Sequence, residues 1–104
     1  MVREVYTDLA RAAPGGSDFG FCNQIQRAAV SVMNNIAEGF ERSSDVDFAR
    51  FLDIAKASCG EVRSMYYTAE DLSYILNEVA LERRNKAKRL SAGIAKLQSH
   101  LRSS

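Results

Sequence analysis

Between Gly20 and Arg42 the apolar positions recur in a way that only a helix gathers onto one surface. At roughly 100° per residue, Phe21, Ile25, Ala28, Ala29, Val32 and Ile36 share one side. Cys22, Val30, Met33, Ala37 and Phe40 continue that apolar surface round the back. Gln24, Arg27, Ser31, Asn34, Asn35, Glu38 and Arg42 form a single narrow polar strip. The apolar arc spans roughly 200°, whereas packing on one core takes only about 100°. The pattern therefore predicts the central helix of a bundle that also packs against copies of itself. Such a contact would centre on Gln26, Arg27, Val30, Met33, Asn34, Ala37, Glu38 and Phe40.

The rest of the chain reads as helix in the same way. Residues 2–13 place Val2, Val5, Tyr6, Leu9 and Ala13 on one face. This helix opens with no capping residue, as expected of one whose first turns lie outside the sequence. Pro14, Gly15, Gly16, Ser17 and Asp18 read as a turn, and the missing Gly-Lys-Ser/Thr argues against a phosphate loop. The second helix covers about 20–40, with Gly39 suggesting fraying or a bend near its end. Ser44 is placed to cap a third helix over 45–71, with Asp45 and Asp47 at the positive end of its dipole. Phe48, Phe51, Ala55, Ser58, Val62, Met65, Ala69 and Leu72 follow 3-4 spacing as its seam, and Leu52, Cys59 and Tyr66 form a second line. Asn77 can cap a last helix over 78–101, where Ala87, Leu90, Ile94, Leu97 and Leu101 repeat the spacing. Four helices with short connections in one 104-residue domain predict an all-α, antiparallel up-down-up-down four-helix bundle.

The formal net charge of +1 discriminates little, but its distribution is uneven. Residues 77–104 carry seven Lys/Arg against two Asp/Glu, while residues 1–76 carry seven against eleven. Head-to-tail contacts between subunits, or an anionic partner, would both suit that asymmetry. Arg83, Arg84, Lys86, Lys88, Arg89 and Lys96 make the one basic cluster and would be the residues to meet RNA or DNA phosphates, without aromatic neighbours for base stacking. Arg27 and Glu38 lie about 16 Å apart along the helix, too far to bridge directly. The strip that holds them is either a polar seam between subunits or a solvated face.

Candidate chemistry is sparse. His100 is the lone histidine, in the last turn. No Glu-x-x-His pairs, His-Glu-x-x-His motif or nucleophile elbow occurs. Glu38 and Glu41 are close together but read as a solvated pair. Cys22 and Cys59 fit no metal or redox spacing and read as buried small hydrophobes. The expectation is a protein that is not an enzyme, with no metal or cofactor. Charges at Arg3, Glu4, Asp8 and Arg11 exclude a signal peptide from the N-terminal stretch, and no apolar run reaches the roughly 20 residues of a membrane span. A cytoplasmic location, with no membrane partner, is the simplest expectation.

Gln24-Ile25-Gln26-Arg27-Ala28-Ala29-Val30-Ser31-Val32, followed by Asn35-Ile36-Ala37-Glu38-Gly39-Phe40, resembles the signature Q-I-R-R-A-A-V-S-I-P-S-N-I-A-E-G of the four-helix-bundle proteins linked to 23S rRNA intervening sequences. Phe48-Ala49-Arg50-Phe51-Leu52-Asp53-Ile54-Ala55-Lys56-Ala57-Ser58 is similar to that family's next stretch, F-x-R-F-L-x-I-A-x-G-S. The resemblance implies an antiparallel four-helix bundle assembled as a homopentameric ring. A related group serves as accessory proteins to the reverse transcriptases of diversity-generating retroelements. It thus implies an alternative role, as a nucleic-acid-binding accessory partnering a reverse transcriptase. Gln26 stands where the signature has its first arginine, removing a charge that would reach phosphate. Met33 stands where it has proline, so no helix break is expected there. The tryptophan-bearing helical start usual in the family is also missing.

Overall fold

A computed structural model describes residues 1–10 and 17–103. It contains α1 (Val2–Ala10), α2 (Phe19–Phe40), α3 (Asp45–Asp71) and α4 (Asn77–Ser103), with no strand among the described residues. The expected last turn of α1 at 11–13 and the Pro14-Gly15-Gly16 turn lie outside the described residues.

Local chemistry accounts for most of the boundaries. α2 starts one residue before Gly20 because Asp18 caps it: its Oδ1 accepts the Phe21 N–H at 3.1 Å. Ser44 caps α3 as its position suggests, accepting the Asp47 N–H at 3.2 Å, with Asp45 and Asp47 in the first turn. α2 runs unbroken through Met33, the proline position of the family signature. α3 and α4 are joined through a reversal in which Ser73 takes φ 60°, a left-handed conformation that a non-glycine residue adopts at some cost.

Gly39 has a different purpose from the bend the sequence suggests. α2 continues through it, and a Cβ there would sit 2.9 Å from Phe48 Cδ1 and 2.9 Å from Phe51 Cβ. Glycine lets the end of α2 press directly against the start of α3, where the Phe40 and Phe48 rings meet edge-on at 5.9 Å. Farther along, Ser31 Oγ and Ser58 Oγ share a 2.8 Å hydrogen bond. At the other end Phe21 meets Tyr74 edge-on at 5.5 Å, and the Tyr74 hydroxyl donates to Asp18 at 2.6 Å.

α3 is flanked by both α2 and α4, which shifts its buried face from the expected seam. Leu52, Cys59 and Tyr66, expected as a second line, are its fully buried centre, together with Ala49, Ala55, Val62 and Ala69. Phe48, Phe51 and Ser58 are half-buried, and Leu72 is exposed. A helix covered from two sides buries the arc between its neighbours rather than a single stripe. The same correction holds in α4. Ala80, Ala87 and Ile94 are buried, but so are Arg84 and Gln98, whereas Leu97 is partly open.

The described residues form an elongated body of 47 × 21 × 16 Å. α1, at nine residues about 14 Å long, covers only one end of it. Val5 and Leu9 of α1 join Ile25, Ala28, Ala29, Val62, Met65 and Tyr66 in one core cluster. Val32, Leu52, Ala55, Cys59, Ala87 and Ile94 form a second cluster, drawn from α2, α3 and α4. Met1 packs against both and marks where α1 begins. Tyr6, expected on the core face of α1, is exposed instead.

Candidate assembly interface

α2 divides its apolar circumference in two. Ile25, Ala28, Ala29 and Val32 are buried in the chain's own core, with Phe21 and Ile36 packed at its edge. The continuation of that arc is left outside: Met33 is 57% exposed, Phe40 is 73% exposed, Ala37 is open, and Val30 is half-buried. Cys22, read as buried, is only half-covered because it lies on the same continuation.

The polar strip also divides. Gln24 donates to Glu61 at 3.1 Å, Ser31 bonds Ser58, and Asn35 Nδ2 donates to the Ser31 carbonyl and Oγ at 2.8 and 3.0 Å. Arg42 lies over the Phe51 ring at 4.6 Å and pairs with Glu38 one turn back. Gln24, Ser31 and Arg42 thus belong to the contact with α3. Arg27 and Asn34 remain exposed. Of the residues expected at a subunit contact, Gln26 and Val30 are half-buried, while Arg27, Met33, Asn34, Ala37, Glu38 and Phe40 are exposed. They share the outward side of one helix. Tyr6 of α1 adds an aromatic ring to its margin, bordering a shallow depression with Asn23, Gln26, Arg27, Val30 and Asn34. Sequence periodicity could not assign it there, because Tyr6 lies between the core positions of a short helix.

The basic cluster of α4 is not one surface. Arg83 donates through Nε and Nη2 to the two Asp8 carboxylate oxygens at 2.9 and 3.2 Å, and lies 3.2 Å from Glu4 and 2.8 Å from Glu82. Arg84 is buried, pairs with Glu70 at 3.0 Å and stacks 4.0 Å over the Tyr67 ring. Lys86 pairs with Glu4 at 2.8 Å. Lys88, Arg89 and Lys96 remain exposed. Phosphate contacts need guanidinium and ammonium donors that face solvent, and three of these six side chains are already satisfied inside the chain.

The acid partners on α1 show what this edge of α4 selects. The hydrogen bond from Lys86 holds the Glu4 carboxyl below its usual range, and the hydrogen bonds that Arg83 donates to Asp8 raise its guanidinium. Burial, reinforced by Asp8, pushes the Tyr66 hydroxyl well above its ordinary value, and it donates to Asp8 at 2.8 Å. Tyr66, Asp8 and Arg83 come from three helices and form a network no spacing rule could reveal. At the far end Gln98 donates to the Ala49 carbonyl and to Asp53 at 3.1 and 2.6 Å, and Arg102 reaches Asp53 at 2.9 Å. Every buried side-chain polar atom among the described residues has a partner.

Neither thiol is poised for nucleophilic chemistry. Burial raises both Cys22 and Cys59, so each is a neutral thiol near pH 7, and Cys59 Sγ donates to the Ala87 carbonyl at 3.0 Å. Among the described residues no group of three His, Cys, Asp or Glu could hold a metal ion, and no helix is long and apolar enough to cross a membrane.

No curated protein matches the sequence. α1, α2, α3 and most of α4, with the Gln24–Phe40 stretch that divides between core and surface, fall within residues matched by a known family profile. That match runs over residues 1–96, and the chain belongs to the 23S rRNA-intervening sequence protein family.

Proposed function

We propose that this protein is a non-enzymatic assembly module: an antiparallel up-down-up-down bundle whose α2 joins it to further copies of itself in a homopentameric ring. The observation that carries this reading is the division of α2. One helix fills the chain's own core and leaves Met33 and Phe40 more than half exposed on the adjoining surface. Contiguous exposed apolar surface of this kind marks association sites. The Phe40–Phe48, Ser31–Ser58 and Phe21–Tyr74 contacts support the antiparallel course of α2 and α3. Ring closure into five follows the family resemblance. Nucleic-acid binding through α4 draws less support, because Arg83, Arg84 and Lys86 are engaged by Asp8, Glu70 and Glu4.

Light-scattering mass of the purified chain tests the reading. Wild type is expected as an oligomer, and Met33→Asp or Val30→Arg as a smaller species with unchanged helical circular dichroism. A wild-type monomer at all concentrations, or an unchanged mass in both variants, would overturn it.

A further inference from the structure

α3 ends with more negative charge than the chain neutralises. Its last turn holds Glu70 and Asp71 but no basic residue, although the C-terminal end of a helix dipole is itself negative. Tyr67, Thr68, Glu70, Asp71 and, from the start of α4, Asn77 line an open cleft of about 590 Å³ there. α4 answers part of this charge: Arg84 pairs with Glu70 at 3.0 Å and lays its guanidinium 4.0 Å over the Tyr67 ring. Asp71 is exposed and takes no ion pair among the described residues.

The way Arg84 is held shows what the same ring can accept from outside. Tyr67 remains 53% exposed with Arg84 against it. An aromatic ring attracts cations to either face, because its quadrupole is negative on both. Asp71 lies four residues after Tyr67, one turn along the same side of α3. Tyr67 and Asp71 thus set ring and carboxylate side by side at the cleft, as Tyr67 and Glu70 do for Arg84. A second guanidinium suits that pair, being planar enough to stack and forked to match a carboxylate. Glu70 and Asp71 then supply one carboxylate for each cation on the ring.

In α2, the helix that carries the proposed assembly surface, only Arg27 is basic. It is exposed on the outward side and takes no ion pair among the described residues. The shallow depression it borders with Tyr6, Asn23, Gln26, Val30 and Asn34 contains no carboxylate. One surface of the chain therefore offers a guanidinium without an acid, and another a carboxylate without a base. A second copy supplies what each lacks.

We propose that Arg27 of one copy enters the Tyr67–Asp71 cleft of the next, stacking on the open face of Tyr67 and pairing with Asp71. This rests on the self-association proposed above and names the surface that α2 meets. The contact is heterologous, joining different patches of the two copies, and such contacts close into rings when their rotation permits.

A charge exchange tests the pairing, read from the concentration at which light-scattering mass falls to the monomer's. Arg27→Glu alone and Asp71→Arg alone should each raise that concentration at least about tenfold, as expected when one partner of a covered charge pair is lost. Helical circular dichroism should stay at the wild-type level in both, since neither charge is paired within the chain. The double variant Arg27→Glu/Asp71→Arg restores opposite charges across the contact and should bring the concentration back toward wild type. A wild-type monomer would remove the assembly reading and this one together. A wild-type oligomer that Met33→Asp dissociates, but that Arg27→Glu and Asp71→Arg leave intact, would overturn the Arg27 contact alone. Two weakened single variants whose combination is no stronger than either would overturn it as well.

Discussion

The Tyr66 hydroxyl reaches 2.8 Å to Asp8, joining the buried centre of α3 to the short α1. Asp8 at the same time receives two donors from Arg83 of α4. One carboxylate thus fastens three helices. Without it α1 would be held mainly by Val5 and Leu9, which are few apolar contacts for a helix of nine residues.

Replacing Tyr66 by Phe should remove about 1.5–2 kcal/mol of stability, toward the lower end of the net worth of a hydrogen bond to a charged acceptor. The loss should depend on pH. A phenol whose folded pKa is raised contributes stability that is full below the unfolded value of about 10 and declines as pH rises beyond it. Urea midpoints should therefore fall above about pH 10 for wild type and fall less for Tyr66→Phe.

Asp8→Asn should cost about 2–3 kcal/mol, more than Tyr66→Phe, because it leaves the mostly covered Arg83 guanidinium short of its carboxylate. Arg83→Met alone should be milder than Asp8→Asn, since Asp8 keeps Tyr66. A double-mutant cycle on urea midpoints should give a coupling of about 1 kcal/mol or more between positions 8 and 83. Additive losses would show that the pair stabilises nothing.

Glycine-to-alanine changes should have opposite signs at two positions. In a helix the exchange is worth up to about 1 kcal/mol in favour of alanine. Gly60→Ala, with nothing within 4 Å of the new Cβ, should raise the thermal midpoint. Gly39→Ala should lower it by the equivalent of about 1–2 kcal/mol. The Phe48 ring can swing away from the new methyl, but Phe51 Cβ moves only with the α3 backbone.

Acid should weaken the fold through three carboxylates. Glu4 is lowered chiefly by Lys86, Asp18 by the Tyr74 hydroxyl and Asp53 by Gln98. Groups with depressed folded values stabilise above the unfolded carboxylate pKa, about 4, and lose that contribution as pH falls through their folded values. The urea midpoint should hold from about pH 5 to about pH 7, above the unfolded carboxylate value, and fall at lower pH. Glu4→Gln should flatten the drop.

Residue order along the chain was enough to determine four helices, the Ser44 cap, the α3–α4 break and the double apolar character of α2. These follow from spacing and from side chains acting on backbone within a few residues. Which of α2's apolar positions enter the core, and which stay outside, was decided only when α3 and α4 took their places against it. The same placement moved the centre of α3 onto Leu52, Cys59 and Tyr66 and turned Gly39 from an apparent bend into a close contact. It also dispersed the basic cluster, because Asp8, Glu4 and Glu70 meet Arg83, Lys86 and Arg84 from other helices. Local periodicity reports how much apolar surface a helix carries. Only the neighbouring helices determine where that surface is covered, and which charges are spent on one another before any partner arrives.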